Sequence, residues 1–213
     1  MRRLILIGDG GHAKVVRDVA LSEHRYELTA VLDDRYEEAG RGEDGLLRGP
    51  VKLARHMLRE DDGMDVFVAI GSNTIRRKVA EALQAAPERF ALLIHPRAVV
   101  STEARLAPGT VVMPGAVINA GASIGAHGIV NTCAIVEHDC VVGGYAHLSP
   151  GSALAGGVTV HEGAHVGIGA AVIQGLTIGA WSLLGAGAVA VRDIPDRCTA
   201  VGVPAAVIKG RND

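Results

Sequence analysis

One period governs most of this chain. From Ala98 to Asp193 the residues fall into sixteen consecutive hexads with no insertion. The third position is Val, Ile or Leu in fifteen of the sixteen and Ala in the last, at Ala190. The first position is usually small, and the sixth is Gly in nine hexads. A fixed short period marks a stacked architecture in which each repeat contacts its neighbours. Each hexad can supply one short flat strand and one corner. The aliphatic third residue points into the coil, the small first residue leaves room near the corner, and Gly admits backbone angles closed to other residues. Three hexads close one triangular turn. The repeat therefore predicts a parallel β-helix of a little over five turns around a continuous aliphatic column. An ordinary alternating sheet would not keep one position aliphatic across ninety-six residues.

The residues before this repeat follow another pattern. Strands are expected at Leu4–Ile7, Leu28–Leu32, Val66–Ile70 and Phe90–Ile94. Helices are expected from His12 to about Ser22, from Pro50 through Leu58, and from Ile75 to Ala86. Strands alternating with helices predict βαβ units and a parallel sheet. The domains expected are residues 1–95, α/β and Rossmann-like, and residues 96–213, an all-β helix with a C-terminal tail. Between the first strand and helix, Gly8-Asp9-Gly10-Gly11-His12-Ala13 fits G-x-G-x-x-A. Such a turn lets backbone amides meet a phosphate at a helix N-terminus. Asp33 lies near the spacing of a ribose-binding acid, so a dinucleotide reading stands beside a nucleotide-sugar one. A tight turn without a ligand is the plain alternative. The short α/β half leaves no room for a hydride-transfer domain.

Composition narrows the function further. Hydrophobic residues make up 48% of the 213 positions but aromatic ones only 3%. A core so poor in rings suits thin aliphatic layers. Net charge is −2 with no basic block, so no nucleic-acid partner is expected. Apolar runs are too short to span a membrane, and the first residues lack a signal-peptide pattern. Cys133, Cys140 and Cys198 are odd in number and lack CxxC spacing. They read as free thiols of a cytoplasmic protein.

Glu137-His138-Asp139 interrupts the hexads with three polar residues, and His138 falls at a corner, where side chains project outward. An imidazole titrates near neutral pH and can take a proton from an attacking amine or hydroxyl. An adjoining carboxylate can fix its tautomer. The competing reading is a solvated polar corner, which is also open for His127, His161 and His165.

Taken together, Gly8-Asp9-Gly10-Gly11-His12, Asp33-Asp34, Ala69-Ile70-Gly71, the run Asn131 to His138-Asp139, and Val201-Gly202-Val203-Pro204-Ala205 resemble the hexapeptide acyltransferases. Within them, the group containing sialic acid O-acetyltransferases and bacillosamine-pathway N-acetyltransferases is similar over nearly the whole chain. The resemblance implies a left-handed β-helix, a homotrimer, and acetyl-CoA as co-substrate without a metal. It implies acetylation of the C4 amine of a nucleotide-linked amino-dideoxy sugar, in a pathway of polysaccharide biosynthesis. His138 is implied as general base and Asp139 as its support. Gly10, Gly11 and His12 are implied to contact the substrate, Asp33 and Asp34 the nucleoside, and Gly71 the sugar or base. Asn131 and His147 are implied beside acetyl-CoA, with the Gly156 amide near the thioester carbonyl and Ile168 along the pantetheine. Rivals are O-acetylation of a sialic acid and a non-enzymatic binding solenoid. Zinc carbonic anhydrases share the prism, and His138, His147, His161 and His165 invite that comparison. The N-terminal ligand-type domain has no role there, so no metal is expected.

Overall fold

The structure, a computed structural model, describes residues 1–210. The chain divides into two compact units, the first ending at Pro96 and the second beginning at Arg97. The first unit contains β1 (Arg2–Ile7), α1 (Gly11–Ser22), β2 (Tyr26–Leu32), β3 (Gly40–Arg41), β4 (Leu47–Gly49), α2 (Leu53–Glu60), β5 (Met64–Val68) and α3 (Asn73–Leu83). Its sheet has the order β3-β4-β2-β1-β5. β1 pairs in parallel with β2 on one side and β5 on the other. Leu4, Ile5, Leu6 and Ile7 are at most 1% exposed, which accounts for their unbroken apolar run: a strand covered on both faces has no polar side. The chain leaves β1 in opposite directions on its two sides, so the C-terminal end of β1 is a topological switch point.

Two expectations need correction here, and one pair of strands was not expected. The Phe90–Ile94 strand does not form. Phe90 makes a single parallel bridge to Val66, after a 3-10 turn at Pro87–Arg89, and only Leu93–Ile94 is a strand. A short buried apolar run looks the same whether it is a strand or merely covered. The second helix starts at Leu53, because Pro50 and Val51 accept short turn bonds from Leu53 and Ala54. The small antiparallel pair β3–β4 carries no apolar alternation and was not expected.

The second unit is a three-faced, left-handed parallel β-helix. Face one runs from Val99–Val100 through Val117–Ile118, Ile135–Val136, Ala153–Leu154 and Ala171–Val172 to Val189–Ala190. Face two runs from Arg105–Leu106 through Ser123–Ile124, Val141–Val142 and Thr159–Val160 to Thr177–Ile178. Face three contains Val111–Val112, Ile129–Val130, His147–Leu148, His165–Val166 and Leu183–Leu184. Paired residues are eighteen apart, as in Val117↔Ile135↔Ala153. Every third-position residue from Val112 to Ala190 is at most 2% exposed. Burying each large aliphatic side chain contributes about 1.5–3 kcal/mol, so the column dominates the stability of this unit. The tail ends the prism with a strand at Cys198–Val201, parallel to Leu183–Leu184, and a return strand at Ala206–Gly210.

The corners explain the other hexad positions. From Gly109 to Gly187 every sixth-position residue has φ between 55° and 76°. Glycine takes this left-handed conformation without strain, whereas another residue loses about 1–2 kcal/mol there. Five residues nevertheless sit at it: His127, Cys133, Asp139, Tyr145 and Trp181. Three of them overlie a glycine of the preceding coil: His127 on Gly109, Cys133 on Gly115 and Asp139 on Gly121. Trp181 likewise covers Gly163, and Tyr145 stacks on the His127 ring at 4.9 Å. Among the described residues the backbone ladder leaves fifth-position N–H groups unused, so Pro108, Pro114 and Pro150 fit there without losing a bond. Among the described residues no helix is long and apolar enough to cross a membrane.

Candidate active site

The fifth and sixth positions of one hexad carry His138 and Asp139, on the corner between faces one and two. Asp139 Oδ2 lies 2.9 Å from His138 Nδ1, and both side chains are largely exposed, at 73% and 65%. A carboxylate only accepts, so this contact makes Nδ1 the protonated nitrogen and leaves the Nε2 lone pair free. Asp139 has φ 59°, the left-handed backbone shared by the sixth positions from Gly109 to Gly187.

Two glycines in adjacent coils make room for the pair. A Cβ on Gly121 would fall 2.5 Å from Asp139 Oδ1, and a Cβ on Gly156 would fall 2.5 Å from His138 Nε2. Gly156 has no positive φ, so nothing in its own backbone demands glycine; the imidazole above it does. Its N–H has no hydrogen-bond partner among the described residues and is open to an acceptor. Gly121 was not expected to matter, although its position eighteen residues before Asp139 was visible in the repeat.

The remaining prism residues gather elsewhere. Asn131 Nδ2 lies 3.0 Å from His147 Nε2. His147 is 8% exposed and stacks on His165 at 4.7 Å, and His165 Nε2 meets Ser149 Oγ at 2.7 Å. Ile168, 57% exposed, shares the corner between faces three and one with Asn131. The strand Ile135–Val136 separates this cluster from His138 and Gly156. The structure therefore joins Asn131 to His147 at face three and His138 to Gly156 at the corner between faces one and two, so the two pairs lie apart on the prism. His138 likewise does not join His147 and His165, and among the described residues no three metal-ligating side chains converge.

In the first unit, the expected ligand residues lie on the loops at the C-terminal ends of β1, β2 and β5. Gly8 is needed by the fold: φ is 107° and the Ala69 carbonyl would lie 3.1 Å from a Cβ. Gly10 and Gly11 are different. Neither has a positive φ, and a Cβ on either would meet nothing within 4 Å. The fold leaves open space around them at the first turn of α1, whose N-cap makes no side-chain hydrogen bond and whose first turn has no acid. An uncapped helix N-terminus with bare backbone is a place for an anion.

Asp33 and Asp34 partly serve the fold. Asp33 Oδ2 accepts from the Asp9 amide at 2.8 Å and Oδ1 from the Arg35 amide at 3.0 Å. Burial pushes the Asp33 carboxyl up, but these amides and the Arg35 side chain outweigh it and hold the carboxyl below its ordinary value. Asp34 Oδ1 accepts from the Val51 amide at 2.9 Å. Each carboxylate keeps further acceptor capacity. Tyr36, which sequence reasoning missed, donates to Asp9 Oδ2 at 2.5 Å and pins the loop after β2 to the loop after β1. His12 is pushed down to about 4 by burial and then by the neighbouring Arg76 guanidinium, so it is neutral at pH 7. Gly71 faces it, with a Cβ at 71 lying 3.9 Å from His12 Cβ. A cavity of this unit, about 800 Å³ and lined by Arg2, Arg55, Arg59, Arg89 and Phe90, contains none of these residues.

Residues 3–83 match the family model described as the PglD N-terminal domain. The UDP-N-acetylbacillosamine N-acetyltransferase of Bacillus subtilis (strain 168) is 45% identical over 113 residues, 53% of this chain and 52% of that protein. The match thus spans about half the length of that curated relative. PerB from Caulobacter crescentus, solved with CoA and GDP-perosamine, is 43% identical with a TM-score of 0.86, covering 97% of each chain. The acetyltransferase domain of PglB from Neisseria gonorrhoeae FA1090, solved with acetyl coenzyme A, is 40% identical with a TM-score of 0.87, covering 97% of this chain and 99% of that one.

Proposed function

The chain belongs to the family of hexapeptide-repeat, coenzyme A-dependent acetyltransferases of nucleotide-linked amino sugars, and from that premise we propose that it acetylates the C4 amine of a nucleotide-linked amino-dideoxy sugar. The observation that carries the reading is the exposed His138–Asp139 pair seated over Gly156. The amine attacks the thioester carbonyl, a C–N bond forms, and the C–S bond breaks. His138 Nε2 receives the proton lost by the nitrogen, and coenzyme A leaves as thiolate. The open Gly156 amide is placed to donate to the oxyanion as charge develops there. No covalent acyl-enzyme is needed, and Cys140, the thiol next to the pair, is buried with its Sγ donating to the Ala155 carbonyl.

The bare amides and open space at Gly10 and Gly11, with neutral His12, Asp33, Asp34 and Gly71, hold the nucleotide sugar. Asn131, His147 and Ile168 bind acetyl-CoA. Because the two prism clusters lie apart on one prism, we assign the complete site to the groove between neighbouring prisms of a homotrimer. Both ligands are small and water-soluble, consistent with a cytoplasmic enzyme.

The decisive experiment incubates the protein with acetyl-CoA and UDP-, GDP- or dTDP-linked 4-amino sugars, with free and CMP-linked sialic acid as alternative acceptors. Mass spectrometry should find one acetyl group added to an amino sugar. Acetylation of sialic acid alone would replace this reading with O-acetylation, and no transfer to any acceptor would favour a binding solenoid. Light scattering should give three times the monomer mass, and a stable monomer at micromolar concentration would remove the intersubunit groove.

A further inference from the structure

Arg76 is the largest fully buried side chain of the protein, 1% exposed in the first turn of α3. In a sequence it reads as one more solvent-facing charge of an amphipathic helix. A buried guanidinium persists only where its donors are well used. Here Nη1 donates to the Ile70 carbonyl at 2.9 Å and to the Gly71 carbonyl at 3.2 Å, while Nη2 donates to Asn73 Oδ1 at 3.0 Å. The guanidinium thus grips two successive peptide carbonyls of the loop that joins β5 to α3.

Peptide planarity turns this grip into a consequence for the other side of the loop. In a trans peptide the carbonyl and the following N–H point in opposite directions. Holding the Ile70 and Gly71 carbonyls toward Arg76 directs the Gly71 and Ser72 N–H groups away from it. Neither N–H has a hydrogen-bond partner among the described residues. The Ser72 hydroxyl is used separately, accepting from the Ile75 amide as the helix cap. Two consecutive, aligned and unused donors therefore stand beside His12 and Gly71, at the C-terminal edge of the sheet. Successive amides of this kind suit anionic or carbonyl oxygens.

We infer that Arg76 is a positioning residue for the sugar nucleotide: by gripping the Ile70 and Gly71 carbonyls it presents the Gly71 and Ser72 amides as a donor pair to the ligand's acceptor oxygens. This rests on the proposed function, and it adds a binding element and the residue that sets it. Lysine in place of Arg76 keeps the charge but, as a point donor, cannot hold both carbonyls and the Asn73 amide in one plane.

The test compares Arg76→Lys with Val19→Ala, a core truncation elsewhere in the same unit, using GDP-perosamine and a UDP-linked 4-amino sugar as probes. Arg76→Lys should raise KM for the accepted sugar nucleotide at least tenfold, leaving KM for acetyl-CoA within twofold. Val19→Ala should lower thermal stability without moving either KM. Hydrogen–deuterium exchange of the wild-type protein should show the peptide containing Gly71 and Ser72 becoming protected when the sugar nucleotide is added. Unchanged KM in Arg76→Lys, equal shifts in both variants, or no protection in an enzyme that turns over would each overturn the inference alone. Failure of the wild type to acetylate any nucleotide sugar would overturn the functional reading, and this inference with it.

Discussion

The imidazole of His138 lies against the backbone of Gly156, eighteen residues later, so closely that a single added carbon at 156 would sit 2.5 Å from Nε2. Alanine at 156 keeps the amide and meets no φ restriction, yet must push the ring aside. Displacing a reacting group by about 1 Å can reduce rate by about a hundredfold. Gly156→Ala should therefore lower kcat by roughly ten- to a hundredfold with little change in melting temperature, because the exposed ring can swing out. A wild-type kcat, measured with both substrates saturating, would show that the ring does not act from this position.

His138→Ala should reduce kcat by at least about a hundredfold, the lower range for a general base. Circular dichroism should be unchanged, since the side chain is 65% exposed and outside the aliphatic column. Asp139→Asn isolates the carboxylate, because asparagine also tolerates the left-handed backbone. It should slow turnover less than His138→Ala does. If Asp139→Asn proved the more damaging of the two, the roles assigned to them would have to be exchanged.

Gly11 offers a dissociation of stability from binding. It is the first residue of α1, and a methyl group there meets nothing in the protein. Gly11→Ala should be neutral or stabilising by up to about 0.5 kcal/mol through helix propensity. It should nonetheless weaken sugar-nucleotide binding severalfold in calorimetry while acetyl-CoA binding stays constant. Equal losses for both ligands would contradict the division of labour between the two units.

His12 gives the first unit a pH dependence with a defined sign. Its folded value near 4 lies below the ordinary 6.5, chiefly through burial. As pH falls through 6.5 the unfolded chain takes a proton that the folded chain refuses, so stability is complete above about 6.5 and is lost progressively toward about 4. The effect is on the order of 1–3 kcal/mol. Chemical denaturation between pH 7 and pH 5 should show it, and His12→Gln should flatten the difference. A parallel pH curve for that variant would place the titration elsewhere.

How much of this was legible depended on whether a residue's environment repeats. Val112 to Ala190 could be assigned inward because each occupies the same hexad slot, and His138 could be assigned to a corner by the same count. Phe90–Ile94 could not, because buried apolar residues look alike in a strand and in a covered loop. Arg76 was hidden for the opposite reason: helical periodicity assigns a charge to solvent, and only the turn at Ile70–Asn73 brings carbonyls over it. The separation of Asn131 and His147 from His138 follows from the one-face advance per hexad, which sets residues one or two hexads apart on different faces.

The eighteen-residue coil also makes the catalytic corner a local inscription. Gly121, His138, Asp139 and Gly156 specify one another across three successive rungs, with paired positions eighteen apart. Adjacent rungs are separated by the ordinary interstrand spacing of about 4.8 Å. Duplicating a whole coil beyond residue 175 would lengthen the protein and leave this inscription intact. Deleting six residues between Gly121 and His138 would instead turn everything downstream by one face and carry Asp139 off Gly121, while leaving His138 over Gly156. Evolution can therefore lengthen such a prism freely, but only in multiples of three hexads.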